Sequence, residues 1–309
     1  MLHLSDEQIF DLLVGREKHI IQQMENVFKD YHIGVAEMIP KTYLTTRSGD
    51  FRAMPARWGD YSGVKWISVY PSNYKHKLPT IHGTLLLNNT YTGEPIVSMD
   101  CAQLTAYRTA AVSALAAKHL SLNSIVRTLT FIGCGYQSML HMKMYNEIFP
   151  NIECIKLYDV NNDNISKLTH WINNNFDIKT VSGFDSVRNA TLSTDIITTL
   201  TPSTVPFLGD SDIEHPFHIN AIGADAVGKR ELESSIWMNC ALIVDDYEQA
   251  SHSGEMQYNK NLPYLTLGDI ITGDCLKPSG KTTIFDSTGL AIEDIAIGRF
   301  IYEEYCKGN

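Results

Sequence analysis

The segment TFIGCGYQSML passes from an apolar run through glycine, one residue and a second glycine into residues suited to a helix. Few folds need that order. Gly133 permits a tight strand-to-helix turn, Gly135 lets an anion approach the backbone, and Ser138, standing where a third glycine is usual, is small enough for close helix packing. The amides and dipole at the helix start then stabilise a pyrophosphate. The next strand, CIKLYD, ends in Asp159, 24 residues beyond Gly135, where a carboxylate accepts hydrogen bonds from adenosine ribose hydroxyls. Taken singly, the glycines also fit an ordinary turn, and Asp159 a solvated loop acid. Together they point to a dinucleotide. The carboxylate repels a 2′-phosphate and no Arg or Lys follows in VNNDN, so the expected cofactor is NAD.

Around this loop, strands (RTLTFIG, CIKLYD, DIITTL, FHINAIG, ALIVDD) alternate with helical runs (SMLHMKMYNEIF, ISKLTHWINNNF), the pattern of a parallel sheet wound in β-α-β units. The amino-terminal part differs. Residues 5–31 read as an amphipathic helical segment capped by Ser5. From Thr42 to Met99, short β-prone runs separated by turn signals read as a meander. Leu104–Leu120, free of Gly and Pro, reads as a helix, as does LAIEDIAIGRFIYEEY near the end.

A net charge of −10 disfavours an extended basic surface for nucleic acid or anionic lipid. No apolar run approaches the roughly 20 residues of a membrane helix, and the amino end lacks the basic and apolar regions of a signal peptide. A cytoplasmic protein is expected. The six cysteines are scattered, as for buried reduced thiols, and no Cys or His spacing suggests a metal.

Candidate site residues fall in two groups. Lys41, Arg52, Arg57, Lys65 and Arg108 are cations of the kind a carboxylate substrate requires. Lys65, between Val64 and Trp66, either extends to solvent or points into a polar site, and Arg108 also fits a helix-face ion pair. Farther on, Asp225 follows the strand FHINAIG in a Gly-flanked turn, where a general acid/base or a helix-capping aspartate is equally at home. In FDSTG, residues 286–289 open the last helix, with amides that either face an anion or are simply capped. Glu293 and Asp294 are adjacent on that helix and share no face, so they do not read as a carboxylate dyad.

Taken in order, IPKTYLTTRSGDFRAMPA, GVKW, LPT, TGEP, RTAAVSALAAKHL, FIGCG, INAIGAD with GK and EL, VDD and FDSTGLAIEDIA resemble the ornithine cyclodeaminase and mu-crystallin family, most closely its archaeal-type alanine dehydrogenase branch. The resemblance covers nearly the whole chain. It implies an α/β protein in which a Rossmann NAD-binding domain (120–285) is inserted into an α+β substrate and dimerisation domain built from both chain ends (1–119 and 286–309). It implies a homodimer whose sheets join into a closed barrel. Lys65 resembles the family's active-site lysine, Arg52 its substrate-site arginine and Asp225 its acid/base aspartate. Arg108 with Thr109 matches an R-T motif near substrate and cofactor, and Lys41 a basic position before the meander. The cofactor set expected is Gly133, Gly135, Tyr136, Gln137, Asp159, Thr109, Lys229 and Ser287. Arg57 with Trp58 after M-P-A, and His82 with Gly83 after LPT, depart from the branch, the latter two at candidate pocket positions.

The resemblance implies an NAD-dependent enzyme acting on the C–N bond of a small L-amino acid or its imine. Alternatives on the same scaffold are cyclodeamination of ornithine or lysine and reduction of a cyclic ketimine. A crystallin-like protein that only binds NAD(P)H or a small ligand is the non-enzymatic alternative.

Overall fold

Ser5 opens the first helix: its side chain accepts the Gln8 amide while the Gln8 side chain accepts the Ser5 amide, a capping box. The computed structural model describes residues 1–214 and 217–308. The chain forms two units, Met1–Val112 with Gly289–Asn309, and Ser113–Thr288. The first junction lies seven residues before 119/120, because one helix, Ala102–Leu120, gives its first half to one unit and its second half to the other, and the second lies three residues after 285/286.

The first unit contains β1 (Leu2–Leu4), α1 (Asp6–Leu13), α2 (Glu17–His32), β2 (Glu37–Met38), β3 (Thr42–Thr45), β4 (Asp50–Trp58), β5 (Tyr61–Val69), β6 (Ile81–Asn89), β7 (Pro95–Asp100), the start of α3 (Ala102–Leu120) and, from the far end of the chain, α9 (Ala291–Gly308). The expected helical segment 5–31 is two helices, since the backbone turns extended at Val14 (ψ 132°). The meander is a sheet in the order β1-β7-β6-β5-β4-β2, with β3 also on β4. All its pairings are antiparallel except β1 with β7. Alternation along β4 buries Arg52, Met54, Ala56 and Trp58 on one face. Helix α9 packs against β4, β5, β6 and α2, and its Ile292, Ile295 and Ile301 are fully buried.

The second unit contains β8 (Thr128–Ile132), α4 (Tyr136–Ile148), β9 (Cys154–Tyr158), α5 (Asn162–Asn175), β10 (Thr180–Gly183), α6 (Val187–Thr191), β11 (Ile196–Thr199), β12 (His218–Ala221), β13 (Cys240–Val244), α7 (Tyr247–Ser253), β14 (Tyr264–Thr266), α8 (Leu267–Thr272) and β15 (Thr282–Asp286). Its strands run parallel in the order β10-β9-β8-β11-β12-β15-β13-β14. The first five follow the Rossmann order, with the chain reversing direction across the sheet beside β8, the position at which α/β sheets bind ligands. Phe217, Ile219, Val244 and Ile284 lie in its core. A buried polar network ties α3 and α4 to this sheet. His141 bonds Ser113 Oγ at 2.9 Å, Asn220 donates to the Ser113 carbonyl and to Tyr145, and His218 bonds Thr283 and Asn220.

Candidate active site

In the first unit, strand register sets the geometry. Arg52 on β4 stands opposite Ile67 on β5, and Met54 opposite Lys65. Arg52 and Lys65 are therefore diagonal neighbours on the same buried face. Lys65 does not extend to solvent. It is fully buried, with Nζ 2.7 Å from Asp294 Oδ1 and 3.4 Å from Thr105 Oγ1. Burial pushes its ammonium below the usual lysine range, and Asp294 opposes that shift.

Asp294 Oδ1 also accepts Arg108 Nε at 3.2 Å, while Arg108 Nη1 donates to Glu293 Oε2 at 2.8 Å. Glu293 Oε1 accepts the Leu290 amide at 2.9 Å, which caps the start of α9. Gly289 leaves room for this arrangement. Its φ is +75°, and a Cβ there would stand 2.4 Å from Arg108 Nη1. Adjacent residues on a helix point about 100° apart, yet Glu293 and Asp294 act together because Arg108 reaches both. They are joined through that arginine and not as a carboxylate dyad, a link that adjacency on a helix does not show. The signal was present: two acids amid Ala291, Ile292, Ile295 and Ala296 must be buried, and buried carboxylates need cations.

Arg52, 3% exposed, donates through Nε to Asp50 Oδ1 at 2.7 Å and stacks over the Tyr43 ring. Lys41 is half-buried just ahead of β3. Thr109 donates to the Thr105 carbonyl at 2.8 Å, and so sits one turn from the threonine beside Lys65. The cations at 52, 65 and 108 are thus each matched by an internal carboxylate, because an unmatched buried cation is costly. Arg57 pairs with Glu37 and Trp58 Nε1 donates to Asp30 at 2.7 Å. His82 is exposed, whereas Gly83 lies opposite Ile67 on the Lys65 face.

In the second unit, β8 runs into the glycine loop. Gly133 has φ +97°, and a Cβ would meet the Leu200 carbonyl at 2.8 Å. Its carbonyl accepts Ser138 Oγ at 2.5 Å, so Ser138, fully buried, does fix the loop to the helix. Gly135 is the N-cap of α4 and supplies no side-chain cap, and the space where its Cβ would stand is open to 4 Å. Asp159, one residue past β9, accepts the Cys134 amide at 2.8 Å, the Asn161 amide at 2.8 Å and Asn164 Nδ2 at 3.3 Å. It thereby braces the loop, using three of a carboxylate's roughly four acceptor sites. Tyr136 is 48% exposed. Gln137 has a buried Oε1 with no donor among the described residues.

Asp225 follows β12 and pairs with Lys229 at 2.6 Å, so the aspartate and lysine singled out from sequence do meet. Ser287 lies between β15 and α9. Helix α9 begins at Ala291, and the Ser287 and Thr288 amides already donate to the Ala221 carbonyl at 3.1 Å and Asp245 Oδ2 at 2.6 Å. Of the two readings left open for FDSTG, amides facing an anion or amides already capped, these contacts fit the second, because this segment continues from the sheet before the helix starts.

Three buried acids hold the Asp225 turn, two of them, Glu231 and Glu255, not among the candidates read from sequence, and the third, Asp286, expected only at the start of the last helix. Asp286 accepts the Glu255 and Met256 amides at 3.0 and 2.9 Å. Glu255 accepts the Glu231 and Leu232 amides at 2.5 and 3.2 Å. Glu231 accepts the Thr201 and Gly223 amides at 2.8 and 2.9 Å and the Thr199 and Thr201 hydroxyls, each at 2.6 Å. Burial raises all three, Asp286 to about 7 and Glu255 to about 9. No periodicity marks such a relay, since its links are long-range. Among the described residues no cluster of His, Cys, Asp and Glu could hold a metal ion, and no helix is long and apolar enough to cross a membrane.

Comparison with known proteins gives a consistent picture. The model of the ornithine cyclodeaminase/mu-crystallin family matches residues 11–309. An alanine dehydrogenase of Archaeoglobus fulgidus is 36% identical over 318 residues, covering 100% of this chain and 96% of its own. An ornithine cyclodeaminase of Brucella suis biovar 1 is 32% identical over 275 residues, 86% of this chain and 74% of the relative. Among solved structures, an archaeal alanine dehydrogenase dimer with bound NAD superposes with a TM-score of 0.94 at 35% identity, covering 100% of this chain and 97% of that one.

Proposed function

Because this chain belongs to the ornithine cyclodeaminase/mu-crystallin family, we propose that it is an NAD-dependent oxidoreductase acting on the C–N bond of a small L-amino acid or its imine. The observation that carries this reading is the fully buried Lys65 diagonal to Arg52 on one sheet face, in a chain that matches an alanine dehydrogenase from end to end.

The glycine loop fits the cofactor: the open space at Gly135 and the uncapped start of α4 suit a pyrophosphate. Gly133, Gly135, Tyr136, Gln137 and Asp159 hold it, with Thr109, Lys229 and Ser287 completing the set. NAD, when bound, supplies the hydride acceptor or donor for the substrate α-carbon. Arg52 grips the substrate carboxylate, its five N–H donors serving Asp50 and the ligand together. Arg108 and Lys41 add positive charge to that grip. Lys65 donates a hydrogen bond to the oxygen or imine nitrogen at the reacting carbon, which draws electrons from it. Asp225, held by Lys229, moves a proton to or from the amine or the attacking water.

The protein works as a cytoplasmic homodimer on this reading. Support comes from the outer face of the first unit's sheet, where Trp66 and Leu44 are 45% and 61% exposed and Phe51, opposite Leu44, stacks on Trp66, an apolar surface suited to a second copy. The 32% identity to an ornithine cyclodeaminase favours a second reading, in which oxidation, ring closure and re-reduction release ammonia with no net NADH.

A panel of amino acids, keto acids and cyclic imines, followed by nicotinamide absorbance and mass spectrometry of products, tests both. Net NADH with a small amino acid supports the dehydrogenase, and ammonia without net NADH supports the cyclodeaminase. Folded Lys65→Ala and Asp225→Asn variants that bind NADH and keep full turnover refute the residue assignment. NADH should bind much more tightly than NADPH, and equal affinities remove the role given to Asp159.

A further inference from the structure

Glu293 and Asp294 of α9 are the least expected part of the first unit, and each bonds one of its buried cations. Around Lys65, Asp294 approaches from α9, and Arg108 and Thr105 from α3. Cys101 lies just ahead of α3, its thiol pushed by burial up to about 11 and so uncharged. Across the strands the neighbours of Lys65 are apolar, Met54 and Leu85. Asp294 is therefore the one anion bonded to the Lys65 ammonium among the described residues, at 2.7 Å, while Glu293 bonds Arg108 instead. Asp294 is fully buried, and its Oδ2 has no hydrogen-bond donor among the described residues. A carboxylate kept only for fold stability is normally saturated on both oxygens. With one oxygen carrying both cationic contacts and the other without a donor, little hydrogen bonding dilutes its charge toward Lys65.

We propose that Asp294 is a positioning residue for Lys65: through one oxygen shared with Arg108 it fixes where the ammonium stands and keeps it cationic. This deepens the reading of Lys65 given above and rests on it for its functional meaning. Burial alone drives a lysine toward the neutral amine, which accepts a hydrogen bond from the reacting group instead of polarising it. Asp294 opposes that loss. Glu293 plays the matching part for Arg108, without touching Lys65.

The test compares Asp294→Asn, Asp294→Glu and Glu293→Gln in the full-length protein. The Lys65 side-chain nitrogen is followed by NMR as pH is varied, with Lys65→Arg used to assign the signal, and kcat/KM is measured across the same pH range. In Asp294→Asn the titration of Lys65 should fall by at least one pH unit, with the Lys65-dependent limb of the rate profile moving alongside it. In Asp294→Glu and Glu293→Gln it should stay within about half a unit, because the anion beside Lys65 remains. A shift below 0.3 unit in a folded Asp294→Asn protein overturns the proposal, and so does a full-unit fall in Asp294→Glu or Glu293→Gln. If Asp294→Asn does not fold, the Asp294→Glu result decides. Should Lys65→Ala keep full turnover, the catalytic reading of Lys65 fails while the NMR titration still decides the link between Asp294 and Lys65.

Discussion

Replacing Glu231 by glutamine should loosen the turn that carries Asp225 without unfolding the sheet beneath it. Each oxygen of the Glu231 carboxylate accepts one amide and one threonine hydroxyl. Glutamine keeps the shape but turns one of the two acceptors into a donor. Whichever way the new amide points, one backbone N–H, that of Thr201 or of Gly223, then faces another N–H group. A threonine hydroxyl can rotate and accept, but a backbone amide cannot. An unsatisfied buried amide costs about 1–3 kcal/mol, and the lost bonds to a charged acceptor add to that. A local cost of about 2–3 kcal/mol corresponds to roughly 30- to 150-fold faster hydrogen exchange, at about 1.4 kcal/mol per factor of ten. Exchange read residue by residue should therefore show protection falling at Thr201 or Gly223, with β8 and β9 protected as in the parent. Turnover should fall too, since Gly223 is two residues from Asp225. Protection at both amides within threefold of the parent, in a folded variant, refutes the idea that Glu231 holds this turn.

Other outcomes follow from the same geometry. Gly133→Ala places a Cβ at φ +97° and 2.8 Å from the Leu200 carbonyl. A left-handed residue alone costs about 1–2 kcal/mol, so NADH affinity measured by fluorescence titration should weaken at least about tenfold, and an unchanged affinity removes the loop from the cofactor site. Burial lowers His141 to about 4 and His218 to about 3, both below the unfolded value near 6.5. The unfolded chain therefore binds more protons as acid is added. The stability these neutral rings contribute is present above that value and is lost as pH falls toward 4 and 3. For His141 the loss between pH 7 and pH 5 is about 2 kcal/mol. A His141→Gln variant should lose that much less over this interval than the parent in urea unfolding, and equal acid sensitivity would contradict the burial of a neutral ring.

The strand and helix alternation, the glycine loop and the candidate positions Lys65, Arg52 and Asp225 were readable from residue order because each depends on local pattern, whereas the division into two domains and the residues' roles came from the family resemblance. A strand-turn-helix transition requires Gly133 whatever surrounds it, and period-two alternation put Lys65 on a definite sheet face. Tertiary structure decided who pairs with whom. Lys65 and Asp294 lie 229 residues apart, and only the return of the carboxyl-terminal helix onto the amino-terminal sheet brings them together. The same holds for the chain of carboxylates from Asp286 to Glu231. Burial is a property of the folded interior, and it decides whether an acid or a cation stands solvated or must find a partner of opposite charge or a set of donors. Sequence thus supplied the charged groups, and the fold made those at 52, 65, 108, 293 and 294 matched, buried contacts.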